Sequence, residues 1–150
     1  MEPVAVILRH PDENLSKCSV QPLVGRSDLR ILEASPGMAY DGTGHVLLEV
    51  GAPTLGPADA GHPLLLLDGN WKHVPWLRNR VTGSPLPRSL PKIPSAYPRR
   101  NAEGADPEEG LATVEALYLA LRLLGRDDPS LLAAYRWREA FLTSVRQHLG

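Results

Sequence analysis

Leu64-Leu65-Leu66-Leu67-Asp68-Gly69-Asn70-Trp71 is the stretch that decides how this chain reads. Four unbroken leucines suit a central strand covered on both faces, because a strand with one wet face alternates apolar and polar residues. The run then breaks on an acid, a glycine and an amide. It therefore reads as a buried strand delivering polar groups to its carboxyl end, where open α/β sheets place their ligands.

The charge pattern changes at the same point. From Gly69 to Ala102 the chain carries Lys72, Arg78, Arg80, Arg88, Lys92, Arg99 and Arg100 and no Asp or Glu. The formal net charge of -1 would argue against a nucleic-acid partner if charge were spread evenly. The basic stretch instead leaves the remainder of the chain strongly acidic, which predicts one basic face on an acidic body. A solvated arginine-rich loop fits the same charges.

At 150 residues the chain fits one ordinary domain that needs no staples. Its single Cys18 excludes an intramolecular disulfide, and the five histidines, including His10, His45, His62, His73 and His148, show no metal spacing. No apolar run approaches the roughly 20 residues of a membrane span, and Val4 to Leu8 is too short for a signal-peptide core. We therefore expect a cytoplasmic protein with no membrane and no metal partner.

Working outward, Val4 to Leu8 reads as a buried first strand, His45 to Val50 as another, and Leu29 to Leu32 as a short further one. Between Pro85 and Pro98 five prolines exclude a long helix or a central strand. Leu86, Leu90, Ile93 and Tyr97 recur among them, which predicts an ordered, extended segment laid across the core. The C-terminal third predicts two helices. The first is capped by Asp106, has Pro107 at its first position and Glu108 and Glu109 in its first turn, and runs through Leu111 to Leu124 before Gly125. Asp128 and Pro129 repeat the signal for a second helix, running to about Leu149.

Asp68, Asn70 and Trp71 together offer an acid, an amide and an aromatic surface, a cradle for a polar substrate with a cationic or aromatic centre. Singly, Asp68 also fits a cap for the next turn and Trp71 a core residue. Thr113 and Glu115 stand where a helix start attracts anions, and Glu115 is equally the ordinary favourable charge for that helix end.

Three motifs in order carry a resemblance: Asp68-Gly-Asn-Trp71 after an apolar strand, Pro94-Ser-Ala-Tyr-Pro-Arg-Arg100, and Leu111-Ala-Thr-Val-Glu-Ala116 opening a helix. The chain resembles the RNA aminocarboxypropyltransferase superfamily, with its DTW-domain transfer RNA branch and its small-subunit ribosomal RNA branch. Lys17-Cys18-Ser19 is similar to a motif of the ribosomal branch, and Pro94-Ser95-x-Tyr97 with Arg99 and Arg100 is closer to the DTW branch. Asn70 stands where the DTW branch has Thr, Ala112 replaces the usual Ser, and Ile93 and Ala96 replace asparagines of the ribosomal branch.

The resemblance implies an α/β fold of SPOUT type, a parallel sheet flanked by helices with a C-terminal trefoil knot. It implies one such domain over 1–150, strand-rich over 1–60 and cofactor-binding over 61–150. The implied activity is transfer of a 3-amino-3-carboxypropyl group from S-adenosyl-L-methionine to the imide nitrogen of a uridine or pseudouridine in rRNA or tRNA. Asp68 is then the base or orienting acceptor for the imide. Ser19, Leu67, Asn70, Trp71, Leu90, Leu111, Ala112, Thr113 and Glu115 line the cofactor, with Glu115 taking its amino group or bracing the loop. Lys72, Arg78, Arg80, Arg88, Lys92, Arg99 and Arg100 hold RNA phosphates and Tyr97 stacks on a base. A SPOUT-like RNA methyltransferase and an inactive RNA-binding relative are the alternatives.

Overall fold

The structure is a computed structural model and describes residues 2–96 and 111–149. Among the described residues seven strands and three α-helices follow in order: β1 (Ala5–Arg9), β2 (Leu29–Glu33), β3 (Tyr40–Asp41), β4 (Val46–Leu48), β5 (Leu64–Asp68), α1 (Val74–Arg78), β6 (Val81–Thr82), β7 (Leu86–Arg88), α2 (Thr113–Leu123) and α3 (Arg138–Leu149). Five strands form a sheet in the order β2-β1-β5-β4-β7, and every pairing is parallel. A separate parallel pair joins β3 to β6.

The four leucines behave as a central strand must. β5 lies between β1 and β4, and its residues alternate between two apolar clusters. Leu64 and Leu66 join Ala5 and Ile7 under Val114, Leu117 and Phe141, while Leu65 joins Val6, Leu8, Leu47 and Val81 on the other face. Both faces are covered, so β1 and β5 read as continuous apolar runs. Their register sets Arg9 opposite Asp68. The polar ends of the two innermost strands therefore emerge together.

The proline-rich segment contributes β7, which the sequence does not announce as a strand. It is an edge strand paired only with β4, where Pro87 stands opposite Leu47. An edge tolerates the missing proline N–H. Beyond it Ile93 is buried and Leu90 and Ala96 pack on the core, so the extended segment crosses the core as expected up to Ala96. Tyr97 and Pro98 lie outside the described residues.

Two helix expectations are corrected. Leu111 and Ala112 are not helical, and α2 opens at Thr113, seven residues after the Asp106 cap that the local pattern favours; Asp106 to Glu109 lie outside the described residues. Once begun, α2 buries most of its circumference and ends before Gly125, whose φ of +94° only glycine adopts cheaply. The second helix is broken. Asp128 caps a 3-10 turn, Pro129–Leu132, and α3 starts only at Arg138. The interruption lets Tyr135 and Trp137 meet edge to face at 5.7 Å, a contact that residues two apart cannot make on an unbroken α-helix. Among the described residues no helix is long and apolar enough to cross a membrane.

Candidate active site

Asp68, the last residue of β5, is buried at 4% exposure. Its Oδ1 accepts the Thr113 hydroxyl at 2.6 Å, and its Oδ2 accepts the Cys18 thiol at 3.4 Å. Thr113 opens α2 and Cys18 lies in the loop after β1, so three separate stretches converge on one carboxylate. Burial, then the charge of Asp68, pushes the Cys18 thiol above its ordinary range, which keeps it a donor. Arg9 reaches the same sulfur at 3.8 Å and Gln21 Oε1 at 2.6 Å.

The start of α2 is held from two sides. Ala112 precedes the helix with an extended backbone and has no hydroxyl to cap it. Ser19 does so from the β1 loop, its Oγ accepting the Val114 N–H at 3.1 Å. Glu115 accepts the Ala112 N–H at 2.8 Å, the half of a capping box that a glutamate supplies. The same carboxylate accepts the Ser95 hydroxyl, and its second oxygen accepts the Ala96 N–H at 2.8 Å. Glu115 is fully buried. Its contacts tie the proline-rich segment to the helix, which is the bracing geometry.

Ser19 and Asp68 thus each hydrogen-bond to the start of α2, at Val114 and Thr113, where Ala112 and Glu115 bond to each other. Leu90 and Leu111 are half-buried and pack on the larger apolar cluster, whereas Leu67 packs on the opposite one, so its side chain lies across the sheet from Asp68. Asn70 is exposed and its Oδ1 accepts the Lys72 N–H at 3.0 Å, shaping the turn. Trp71 is 46% exposed, so it is not a core residue.

The basic residues divide. Arg78 pairs with Glu49 at 3.2 Å, and Arg88 with the buried Asp59 at 3.1 Å. Arg80 donates to the Pro36 carbonyl at 2.8 Å while its guanidinium lies 4.6 Å over the Trp76 ring. Acids remote in sequence therefore answer Arg78 and Arg88. Lys72 and Lys92 are exposed. Arg99, Arg100 and Tyr97 lie outside the described residues.

Sequence reasoning did not connect His10 with His73. His10 is buried directly after β1, and the two imidazoles stack with centroids 3.6 Å apart and planes 4° from parallel. No spacing rule links residues that far apart in the chain; the pairing of β1 with β5 brings them together.

A carboxylate offers about four lone-pair sites, and at Asp68 two are occupied by side-chain donors among the described residues. Among those residues, capacity remains for a substrate N–H or an ammonium group. An acid with spare acceptor sites, partly exposed Leu90 and Leu111, and the exposed indole of Trp71 suit a ligand that joins a cationic centre to apolar and aromatic parts.

No family model matches the chain, and no curated protein sequence matches it. Its fold does match a solved structure, the SAM-dependent rRNA:acp-transferase Tsr3 from Vulcanisaeta distributa. The TM-score is 0.73 at 24% sequence identity, over 99% of this chain and 82% of that one. The mixed α/β architecture with its parallel central sheet is shared with that protein.

Proposed function

We propose that this chain is an S-adenosylmethionine-dependent RNA aminocarboxypropyltransferase acting on the imide nitrogen of a uridine or pseudouridine in rRNA or tRNA. One observation carries the reading: Asp68, at the carboxyl end of the central strand, is buried and oriented by two side chains from different elements, with acceptor capacity left over. The fold shared with the Vulcanisaeta distributa transferase supports it, as do the three ordered motifs.

S-adenosylmethionine, when bound, supplies an electrophilic carbon beside a sulfonium. The residues of the chain supply the rest. A uracil imide is mostly protonated at neutral pH, and Asp68 takes or holds its proton as the nitrogen becomes a nucleophile. Thr113 and Cys18 fix the carboxylate against rotation, so the base is in place before substrate arrives. Ser19 and the start of α2 would hold the carboxylate of the donated group, Trp71, Leu90 and Leu111 would pack on its apolar parts, and Asn70 and the Leu67 main chain would shape the turn. Glu115 is a positioning residue. Lys72 and Lys92, with Arg99 and Arg100, contact RNA phosphates and Tyr97 stacks on a base, while Arg78, Arg80 and Arg88 chiefly hold the fold.

In this proposal residues 1–150 act as one SPOUT-related domain, 61–150 forming the cofactor side with its chain threaded as a trefoil knot, in the cytoplasm. Millimolar S-adenosylmethionine is expected to raise the melting temperature, since a ligand at about 100 times its Kd adds roughly 2.7 kcal/mol. Chromatography of a reaction with RNA is expected to show methylthioadenosine. S-adenosylhomocysteine would mean methyl transfer, and no thermal shift would remove the cofactor from the reading.

A further inference from the structure

Donor atoms of His10, Asp12 and His73 lie within 4.8 Å of one another. Metal binding is nevertheless poorly served. Imidazole lone pairs lie in the ring plane, so two parallel rings 3.6 Å apart aim theirs side by side and not at a shared ion about 2 Å from each. His10 Nδ1 already accepts the Asp12 N–H at 3.0 Å. The geometry is that of a clamp between loops.

Those are the loops that build the site. The His10 main-chain N–H donates to the Asp68 carbonyl at 2.8 Å. His73 stands immediately before α1, at the far end of the turn that leaves Asp68. Gly69 lies beneath both rings: a Cβ there would meet the Cβ atoms of His10 at 3.2 Å and of His73 at 3.3 Å. The edge of Trp76 closes on His10 at 4.9 Å.

We infer that the stacked His10 and His73 form a proton-sensitive positioning pair: closed while His10 is neutral, it fixes the Asp68 turn and the loop carrying Cys18, and it opens on acidification. The importance of this for catalysis rests on the proposed function; the clamp itself does not. A proton at His10 Nδ1 would remove the acceptor of the Asp12 N–H. His73 Nδ1 is buried and has no hydrogen-bond partner among the described residues.

The surrounding charges set the direction. Burial and then His73 hold His10 below its ordinary 6.5, with Asp12 opposing. Asp12 from the β1 loop favours a charged His10, and Glu13 of the same loop faces His73, Asp68 and Arg9, with the Arg80 guanidinium over the Trp76 ring. Glu13 is itself raised, by burial and then by Asp68, so its compensating charge fades as pH falls. A histidine lowered in the folded state contributes stability above about pH 6.5 that is lost as pH falls through the lowered value.

Cys18 is the only cysteine, buried and bonded to Asp68, so its labelling reads the clamp directly. Thiol reaction of the full chain with dithiodipyridine is normalised to free cysteine at each pH. The normalised rate is expected to rise on going from about pH 7.5 to 5.5, by about tenfold per unit by which charging is disfavoured in the closed state. At pH 7.5 His73→Ala is expected to label faster with unchanged circular dichroism. His73→Phe keeps a stacked ring and is expected to label at the wild-type rate there. Its acid transition should move to higher pH, because His10 loses the repulsion of a second imidazole. A wild-type rate independent of pH, or an unmoved midpoint in His73→Phe, would overturn the clamp. The latter arm stands even if His73→Ala fails to fold. S-adenosylmethionine titrated at both pH values separates the two readings. Absence of binding at either pH rejects the proposed function and leaves the labelling result intact. Unchanged affinity while labelling rises rejects the positioning role alone.

Discussion

Asp68 and Glu115 are both buried acids where the end of β5 meets the start of α2, and their partners differ in kind. Glu115 accepts two main-chain N–H groups and a hydroxyl, from both the proline-rich segment and the helix start. Asp68 accepts only a hydroxyl and a thiol among the described residues. Main-chain donors are fixed by the fold, so a carboxylate that takes them becomes part of the scaffold. A carboxylate held by rotatable side chains keeps acceptor sites for something else. On the proposed function, architecture falls to Glu115 and chemistry to Asp68.

The strongest way to break it is Asp68→Asn. The amide keeps the shape and still accepts the Thr113 hydroxyl, so unfolding in urea is expected to shift by about 1 kcal/mol or less. Transfer to RNA is expected to fall about 100- to 10,000-fold, the range of general-base contributions. Single-turnover measurement of modified nucleoside checks this. Transfer at the wild-type rate would make Asp68 a strand-end cap.

Glu115→Ala is expected to invert that pattern. Leaving buried donors without an acceptor costs about 1 to 3 kcal/mol each, and water reaches the half-buried Ser95 and Ala96 more readily than Ala112. We expect a net loss of about 3 kcal/mol in urea unfolding. The defect in transfer should then follow the loss of folded protein. A fully stable variant lacking activity would give Glu115 a direct part in binding the cofactor.

The expected cost of losing the helix cap is smaller. Ser19→Ala is expected to destabilise by about 1 kcal/mol, the usual worth of an N-cap. Adding Ala112→Ser should recover most of it by placing a hydroxyl at the cap position itself. Ala112→Ser alone should change little, because Ser19 already accepts the Val114 N–H. If the double variant recovered nothing, Ser19 would be acting on something other than the helix start.

These contrasts show what was legible in the chain. The apolar runs of β1 and β5 are local signals, and they placed Asp68 at a strand end before any geometry was available. The opening of α2 was misplaced because Asp106 and Pro107 form a stronger local start signal than Ala112. The cap that sets the real start comes from Ser19, 95 residues earlier. Among the described residues proline correctly ruled out a central strand from Pro85 to Ala96, yet an edge pairing through Pro87 needed β4 beside it. The His10–His73 stack had no sequence signal, since it exists only when β1 and β5 lie side by side. The basic run was real in sequence but partly cancelled in space.

That cancellation gives the smallest effect. Arg88 is paired with Asp59, both largely buried, so Arg88→Ala should lower stability and leave the salt dependence of RNA binding unchanged. Lys72 is exposed beside Trp71 at the end of β5. If it meets a phosphate, Lys72→Ala should reduce the log-log slope of affinity against salt by roughly 0.7 to 0.9. Fluorescence titrations at several salt concentrations measure both slopes. A flattened slope for Arg88→Ala with none for Lys72→Ala would mean that the Asp59 pair opens to bind RNA. The basic surface would then lie along the β7 edge and not at the carboxyl end of the sheet, separating the RNA from Asp68.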